Sequence, residues 1–398
     1  MNWISKDGKF LLLNRGIRSF GNGFLSVLLG IYFKELGFQP LAIGLLLSSA
    51  VLSGALFTLL VGWHAVTYGI KKMLLLSTFM STAGLVIFIL TENFFFLLLA
   101  SLIGFISPSG RELGPLLSLE QAYLPFTASD ERRTEAFSLW NIIATSSASL
   151  GALLASLPSF LQGHFSIEKI LSFKFMFLLS LILNIVTLLL YTRIAEIKFA
   201  QKKVILSKQS KKIITKLSLL FAIDSFAGGL ILTSIVSLWF YTKFHASLVT
   251  ISYIFLAAGL LEALSFYLSG KLAKKFGLIN TMVFTHIPSS IFLILIPFSP
   301  TFTLAAALYL MRQLLSEMDI PARQSYVVAM VNPEEKPIAT STTNAAKIVA
   351  SSFGPTLASK ILLLTMFSPF VLSGTLKIIY DLLLYFNFRY LKPPEEIK

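Results

Sequence analysis

The residues best able to do chemistry in this 398-residue chain are charges embedded in apolar runs. The bases are Arg15, Arg18, Arg111, Arg312, Arg323, Lys347, Lys360 and Lys377; the acids are Glu112, Glu120, Glu135, Asp224, Glu262, Glu317, Asp319 and Asp381. A charge in the middle of a hydrocarbon-embedded helix costs roughly 2.5 to 3.5 kcal/mol on insertion scales, so each must face a cavity or a partner. A carboxyl group among such bases can load and unload a proton as its surroundings change, because burial raises its pKa and a nearby Arg lowers it.

Other chemistries are excluded by what is missing. The chain has no cysteine, and its four histidines, His64, His164, His245 and His286, are scattered singly, so thiolate and clustered metal-ligand chemistry have no basis. No His-Glu-x-x-His or Gly-x-Ser-x-Gly motif occurs, so the chain is not expected to be an enzyme, and no cofactor or metal site is expected.

The elements that must position these charges follow from composition. With 55% hydrophobic and only 13% charged residues, and a mean hydropathy of +0.79, the chain must face lipid. Its apolar runs are about 20 residues long, enough for a helix to cross roughly 30 Å of hydrocarbon. Twelve such spans are expected, in an all-α membrane protein. The net charge of +14 is distributed by topology. With a cytoplasmic N-terminus, 21 of the 33 Lys and Arg fall in inner segments, 4 in outer ones (Lys34, Lys169, Lys174, Lys243) and 8 in spans. That bias places both termini in the cytoplasm and makes the basic charge a partner for anionic lipid, with no nucleic-acid role.

The chain is also written twice. Glu120–Ser156 aligns without a gap on Arg323–Ser359, pairing Gln121 with Gln324, Tyr123 with Tyr326, Asn141 with Asn344 and Gly151 with Gly354. Ser19, Phe20 and Gly23 correspond likewise to Ser225, Phe226 and Gly229, and the turn from Gly62 to Gly69 corresponds to that from Gly270 to Gly277. The expected domains are therefore a six-helix bundle over 1–192, a basic cytoplasmic linker over 193–216 and a second six-helix bundle over 217–398. Span 4, about Phe94 to Tyr123, is expected to bend at Pro108, Gly110 and Pro115.

At the repeated glycine turn the chain resembles the major facilitator superfamily over essentially its whole length. Gly62, Gly69 and Lys71-Lys72 match the family's turn between spans 2 and 3, and Gly270, Lys275 and Gly277 match in the second half, but Val66 and Lys274 stand where the family carries an acid. Gly354-Pro355 is similar to the Gly-Pro pair of proton-driven drug exporters, although it lies on span 11 and span 5 has Gly151-Ala152. The resemblance implies a fold of two parallel six-helix repeats and a monomeric secondary transporter in the plasma membrane. That protein would move a small solute by alternating access, with proton-coupled drug or organic-solute efflux favoured over facilitative or proton-coupled uptake of a polar metabolite such as a sugar or organic anion.

In the resembled fold, spans 1, 4, 7 and 10 line the cavity. The expected substrate or coupling-ion residues are Arg15, Arg18, Asn22, Glu112, Asp224, Glu262, Arg312, Glu317, Asp319 and Lys347, with Asp224, Glu262 or Glu112 as the proton carrier. Arg312, Ser316, Asp319 and Arg323 share one helical face and would form a polar stripe if Pro321 leaves the helix intact. Lys347 either contacts substrate or partners Asp319. Arg18 and Asp224 occupy equivalent repeat positions with opposite charge and are expected to compensate one another, directly or through substrate. Glu120 and Arg323 are a second such exchange, either closing a cytoplasmic gate with the glycines Gly62, Gly69, Gly270 and Gly277 or each pairing within its own half. Lys377 and Asp381, four apart on span 12, are expected to neutralise one another.

Overall fold

The computed structural model describes residues 4–112, 114–128, 133–197, 207–332 and 335–391. The middle of the expected linker, 198–206, and the side chains of Val66 and Lys274 lie outside the described residues. The chain is all helical. It runs through α1 (Lys6–Glu35), α2 (Pro40–Tyr68), α3 (Ile70–Leu90), α4 (Phe94–Gly104), α5 (Pro115–Tyr123), α6 (Arg133–Leu154), α7 (Leu157–Phe165) and α8 (Lys169–Tyr191). It continues through α9 (Lys208–Gly229), α10 (Thr233–Phe244), α11 (Leu248–Phe276), α12 (Leu278–Leu295), α13 (Phe302–Ser316), α14 (Asp319–Ala329), α15 (Lys336–Ser352), α16 (Gly354–Leu362) and α17 (Ser368–Phe388).

Helix starts follow local chemistry. Ser5, Asn93, Ser207 and Thr301 each accept a hydrogen bond from a backbone N–H of the first turn, and prolines open α2, α5, α7, α15, α16 and α17, where no N–H is needed. Gly69 and Gly277, which close the two copies of the glycine turn, have φ of +97° and +86°. Only glycine takes that conformation freely, so the repeat preserves a backbone reversal.

Among the described residues, eight helical stretches are long and apolar enough to cross a membrane. The four expected spans outside that set are spans 1, 4, 10 and 11, which carry charges or breaks. Span 4 does more than bend: α4 stops at Gly104, Phe105 turns left-handed, and α5 restarts only at Pro115. Span 7 divides between α9 and α10, span 10 between α13 and α14, and span 11 between α15 and α16.

Two compact units form. One comprises Met1–Gln201 with Leu232–Leu256, the other Lys202–Ile231 with Ala257–Lys398. α10, which belongs to the second repeat by sequence, is thus packed into the first unit. There it lies against α1, with the Ser234 hydroxyl donating to the Ser26 carbonyl at 2.6 Å and the Ser237 hydroxyl donating to the Val27 carbonyl at 2.7 Å.

Each unit is held by the same crossing of its first and fifth spans. In the first, a Cβ on Gly23 would lie 2.1 Å from the Ala148 carbonyl oxygen, and one on Gly151 would lie 2.0 Å from that of Phe20. In the second, a Cβ on Gly229 would lie 2.3 Å from the Ser351 carbonyl oxygen, and one on Gly354 would lie 2.3 Å from the Gly229 carbonyl carbon. Without apolar solvent exclusion to drive them together, membrane helices associate through such close backbone approach, which only small residues permit.

Candidate functional site: two buried charge networks

The break in span 4 delivers the first network. Glu112 sits in the irregular segment between α4 and α5, and Glu120 on α5, both facing the arginines of α1. Arg18 Nε and Nη2 donate to the two Glu112 oxygens at 2.8 and 2.9 Å, while Nη1 and Nη2 donate to the two Glu120 oxygens at 2.8 and 2.7 Å. The Tyr191 hydroxyl of α8 donates to Glu120 at 2.7 Å and accepts from Arg18. Arg15 pairs with Glu112 and lies 4.1 Å above the Trp140 ring. The planar guanidinium of Arg18 can serve two carboxylates at once because it presents its donors as a rigid fork.

A polar pocket lies beside this network, lined by Arg18, Asn22 and Glu112 with Ser81, Ser180 and Asn184. A separate apolar cleft of about 530 Å³ runs along α1 between Ile143 and Leu183, with Lys9 among its lining residues.

The second network is inside the other unit. Asp224 of α9 accepts from Lys377 Nζ of α17 at 2.7 Å and from Arg323 Nη1 of α14 at 2.9 Å. Arg323 also reaches Asp319 at 3.2 Å and lies 5.2 Å above the Phe221 ring. His286 of α12 places Nδ1 3.0 Å from both oxygens of Asp381, and its Nε2 is 3.8 Å from Asp224. His286 and Asp381 are 2% and 0% exposed, so both members of the pair are buried.

The two repeat-related exchanges are therefore each met within one unit: Arg18 binds Glu120, and Asp224 binds Arg323. The expected Lys377–Asp381 pair does not form. Asp224 and His286 lie nearer each of those groups, and they take Lys377 and Asp381 respectively. The expected polar stripe of span 10 is divided because the helix breaks at Glu317 and Met318, before Pro321. Arg312 then donates to Gln313, which donates to Glu262, while Arg323 turns to Asp224 and also pairs with Asp319. Glu317 accepts from Ser316 at 3.3 Å, and Lys347 is half-buried on α15.

Of the glycines, Gly62 and Gly270 lie within α2 and α11, and Gly69 and Gly277 follow those helices. A carboxylate does reach the first glycine turn, by a route the sequence did not reveal. Glu196, after α8, accepts from the Lys71 and Lys72 backbone N–H groups at 2.9 and 3.3 Å. It thereby caps the positive end of α3. A Cβ at Gly69 would stand 2.3 Å from that carboxylate, so glycine is required for space as well as for its backbone angle.

His286 and Tyr191 were also missed. Both lie in apolar runs where any polar group needs a partner, so treating His and Tyr like the embedded charges would have singled them out.

The arrangement belongs to a known class. The family profile described as Major Facilitator Superfamily matches residues 11–221 and again 217–398, and the chain is a member of that family. It is 23% identical over 419 residues to an uncharacterized membrane protein of Saccharomyces cerevisiae, covering 96% of this chain and 93% of that one. Solved structures with the same fold include a POT family peptide transporter (TM-score 0.78, 11% identity, 99% and 98% of the two chains). They also include a D-xylose-proton symporter (0.75, 14%, 98% and 99%) and the human organic anion transporter MFSD10 (0.69, 15%, 95% and 98%). The chain is a multi-pass, non-enzymatic secondary transporter of small solutes.

Proposed function

We propose that this transporter couples movement of a small organic solute across the plasma membrane to protons, with both termini and the basic 193–216 segment in the cytoplasm. The observation that carries the coupling is the second network, in which three carboxylates, two bases and an imidazole are buried together on α9, α12, α14 and α17. Permanently paired charges would serve a uniporter as well, but an imidazole gains and loses its charge within the physiological range. Efflux of an organic solute is the leading direction, on the Gly-Pro pair at the α15–α16 break and the apolar cleft beside α1. The similarity to a sugar-proton symporter supports the alternative, proton-coupled uptake of a polar metabolite.

The test is transport by the purified chain in proteoliposomes with an imposed pH gradient, screened across organic anions, nucleosides, sugars, peptides and cationic dyes. Accumulation of one solute that collapses when the gradient is dissipated supports the reading. Transport of that solute indifferent to the gradient overturns the coupling.

A further inference from the structure

The two networks differ in one countable respect. The first holds Arg15 and Arg18 against Glu112 and Glu120, two charges of each sign. The second holds Asp224, Asp319 and Asp381 against Arg323 and Lys377, three acids to two bases, with His286 between them. An uncompensated charge in a low-dielectric interior is strongly unfavourable, because no solvent screens it and desolvation is not repaid. With a neutral imidazole these six groups, counted among the described residues, sum to one net negative charge, and with one added proton they sum to none.

The elements packed directly against the pair bring the following charged groups among the described residues. α12, which bears His286, packs on α13, α14 and α17. α14 contributes Asp319 and Arg323, and α17 contributes Lys377, Tyr380 and Asp381, with Tyr380 edge-on to the imidazole at 6.1 Å. The charged residue of α13, Arg312, donates to Gln313, which in turn holds Glu262. α9 and α16 pack on α17. The lysines of α9 sit two turns or more before Asp224, and Lys360 of α16 is exposed.

We propose that His286 and Asp381 form a proton-binding dyad, so that the coupling proton is carried by the second network and not by the first. This rests on the proton-coupled reading and gives it an address. The dyad binds the proton on the 3.0 Å contact between Nδ1 and the carboxylate. Its other ring nitrogen faces Asp224, which holds Lys377 of span 12 and Arg323 of span 10. Loss of the proton places a net negative charge beside Asp224 and changes its grip on those two helices. Asp224 is then the relay of the signal, and the dyad is its source.

The experiment uses the full chain in lipid nanodiscs at neutral pH, with 15N-histidine NMR for the imidazole and infrared spectroscopy for protonated carboxyl groups. His64, His164 and His245 are exposed, so the His286 signal is the one removed by His286→Gln. The expected result is either a doubly protonated His286 ring or a carboxylic acid band belonging to Asp381, with that proton lost in Asp381→Asn. The proposal is overturned by a neutral ring without an Asp381 acid band in the unaltered chain, or by a doubly protonated ring that Asp381→Asn leaves unchanged. Should Asp381→Asn not fold, Lys377→Met reads the same balance: the network must bind a second proton, and its failure to do so overturns the proposal. Gradient-driven transport with an unprotonated dyad would remove this site and leave coupling intact. A protonated dyad without gradient-driven transport would remove coupling and leave the site.

Discussion

Arg18 and Glu120 are joined by two hydrogen bonds of 2.8 and 2.7 Å between the first and fourth spans of one repeat. At the equivalent positions of the other repeat, Asp224 and Arg323 are joined at 2.9 Å with the signs exchanged. The position of the pair has been kept while its polarity has been reversed, so what these positions conserve between the halves is a cross-link, and not a particular charge.

Removing one partner should accordingly harm the fold. Glu120→Gln leaves Arg18 short of an anion, and Arg323→Gln leaves Asp224 with Lys377 and the more distant His286. Breaking a buried pair from one side typically costs about 3 to 5 kcal/mol. Each variant is expected to lower the thermal midpoint of the purified protein markedly. Tyr191→Phe removes only a hydroxyl, so it should cost no more than about 1 to 3 kcal/mol. Equal midpoints for all three would contradict the cross-link.

The two glycine crossings should be equally intolerant. Ala at Gly23, Gly151, Gly229 or Gly354 puts a methyl into a neighbouring backbone, and overpacking of this kind costs typically about 1 to 3 kcal/mol. Gly163 and Gly228 have open space at the Cβ position, so Ala there serves as a control. Size-exclusion profiles and thermal midpoints should separate the two sets, and indistinguishable sets would show that the helices move apart at no cost.

The seating of α10 on α1 is testable without background because the chain has no cysteine. A Cβ at Gly30 would fall 2.4 Å from the Ser234 carbonyl oxygen. A Val27→Cys, Ser237→Cys double variant should oxidise to a disulfide, and adding Gly30→Leu should slow that reaction several-fold. A rate unmoved by Gly30→Leu would mean that the two helices do not associate through this contact.

Glu335, between α14 and α15, gives a pH dependence. It accepts from the Ser210 hydroxyl at 2.6 Å and from the Ser207 and Asn332 backbone N–H groups, and these bonds hold its carboxyl down to about 2. A group whose folded pKa is depressed contributes stability that is complete above its unfolded value, near 4.3, and is lost as pH falls through the folded one. Protection of the Ser207 and Asn332 amides from hydrogen exchange should thus be steady from neutral pH to about 4 and decline below that. Glu335→Gln should lower protection at neutral pH and remove the dependence. A wild-type decline already complete near pH 5 would assign the effect to another group.

The fold was legible where the sequence repeats itself. Gly23 with Gly229, Gly151 with Gly354, and Gly69 with Gly277 were all visible as matched positions, and all sit at close approaches or reversals that demand glycine. Pro108, Gly110 and Pro115 marked the break in span 4. Partnership was less legible, because two equivalent positions of opposite sign fit a pair across the halves as well as a pair within each. What separates the readings is the direction in which α5 and α14 present their side chains, and that depends on breaks whose depth no spacing rule gives. Lys377 and Asp381 show the same limit. Their spacing allows a contact along one helix, and the tertiary partners Asp224 and His286 prevail.

The broken span 4 also bears on how the first repeat depends on the second. Carbonyl groups released from a helix inside a membrane must find donors, since lipid offers none. Ser81 serves Gly104 at 2.8 Å from within the first repeat, but Pro108 is served at 3.0 Å by the amide and the hydroxyl of Ser234, and Ser109 at 3.0 Å by Thr233. Those donors lie more than a hundred residues downstream. The hydrogen bonds of this break are therefore completed by the start of the second repeat, and the first six spans alone do not contain the donors that Pro108 and Ser109 use.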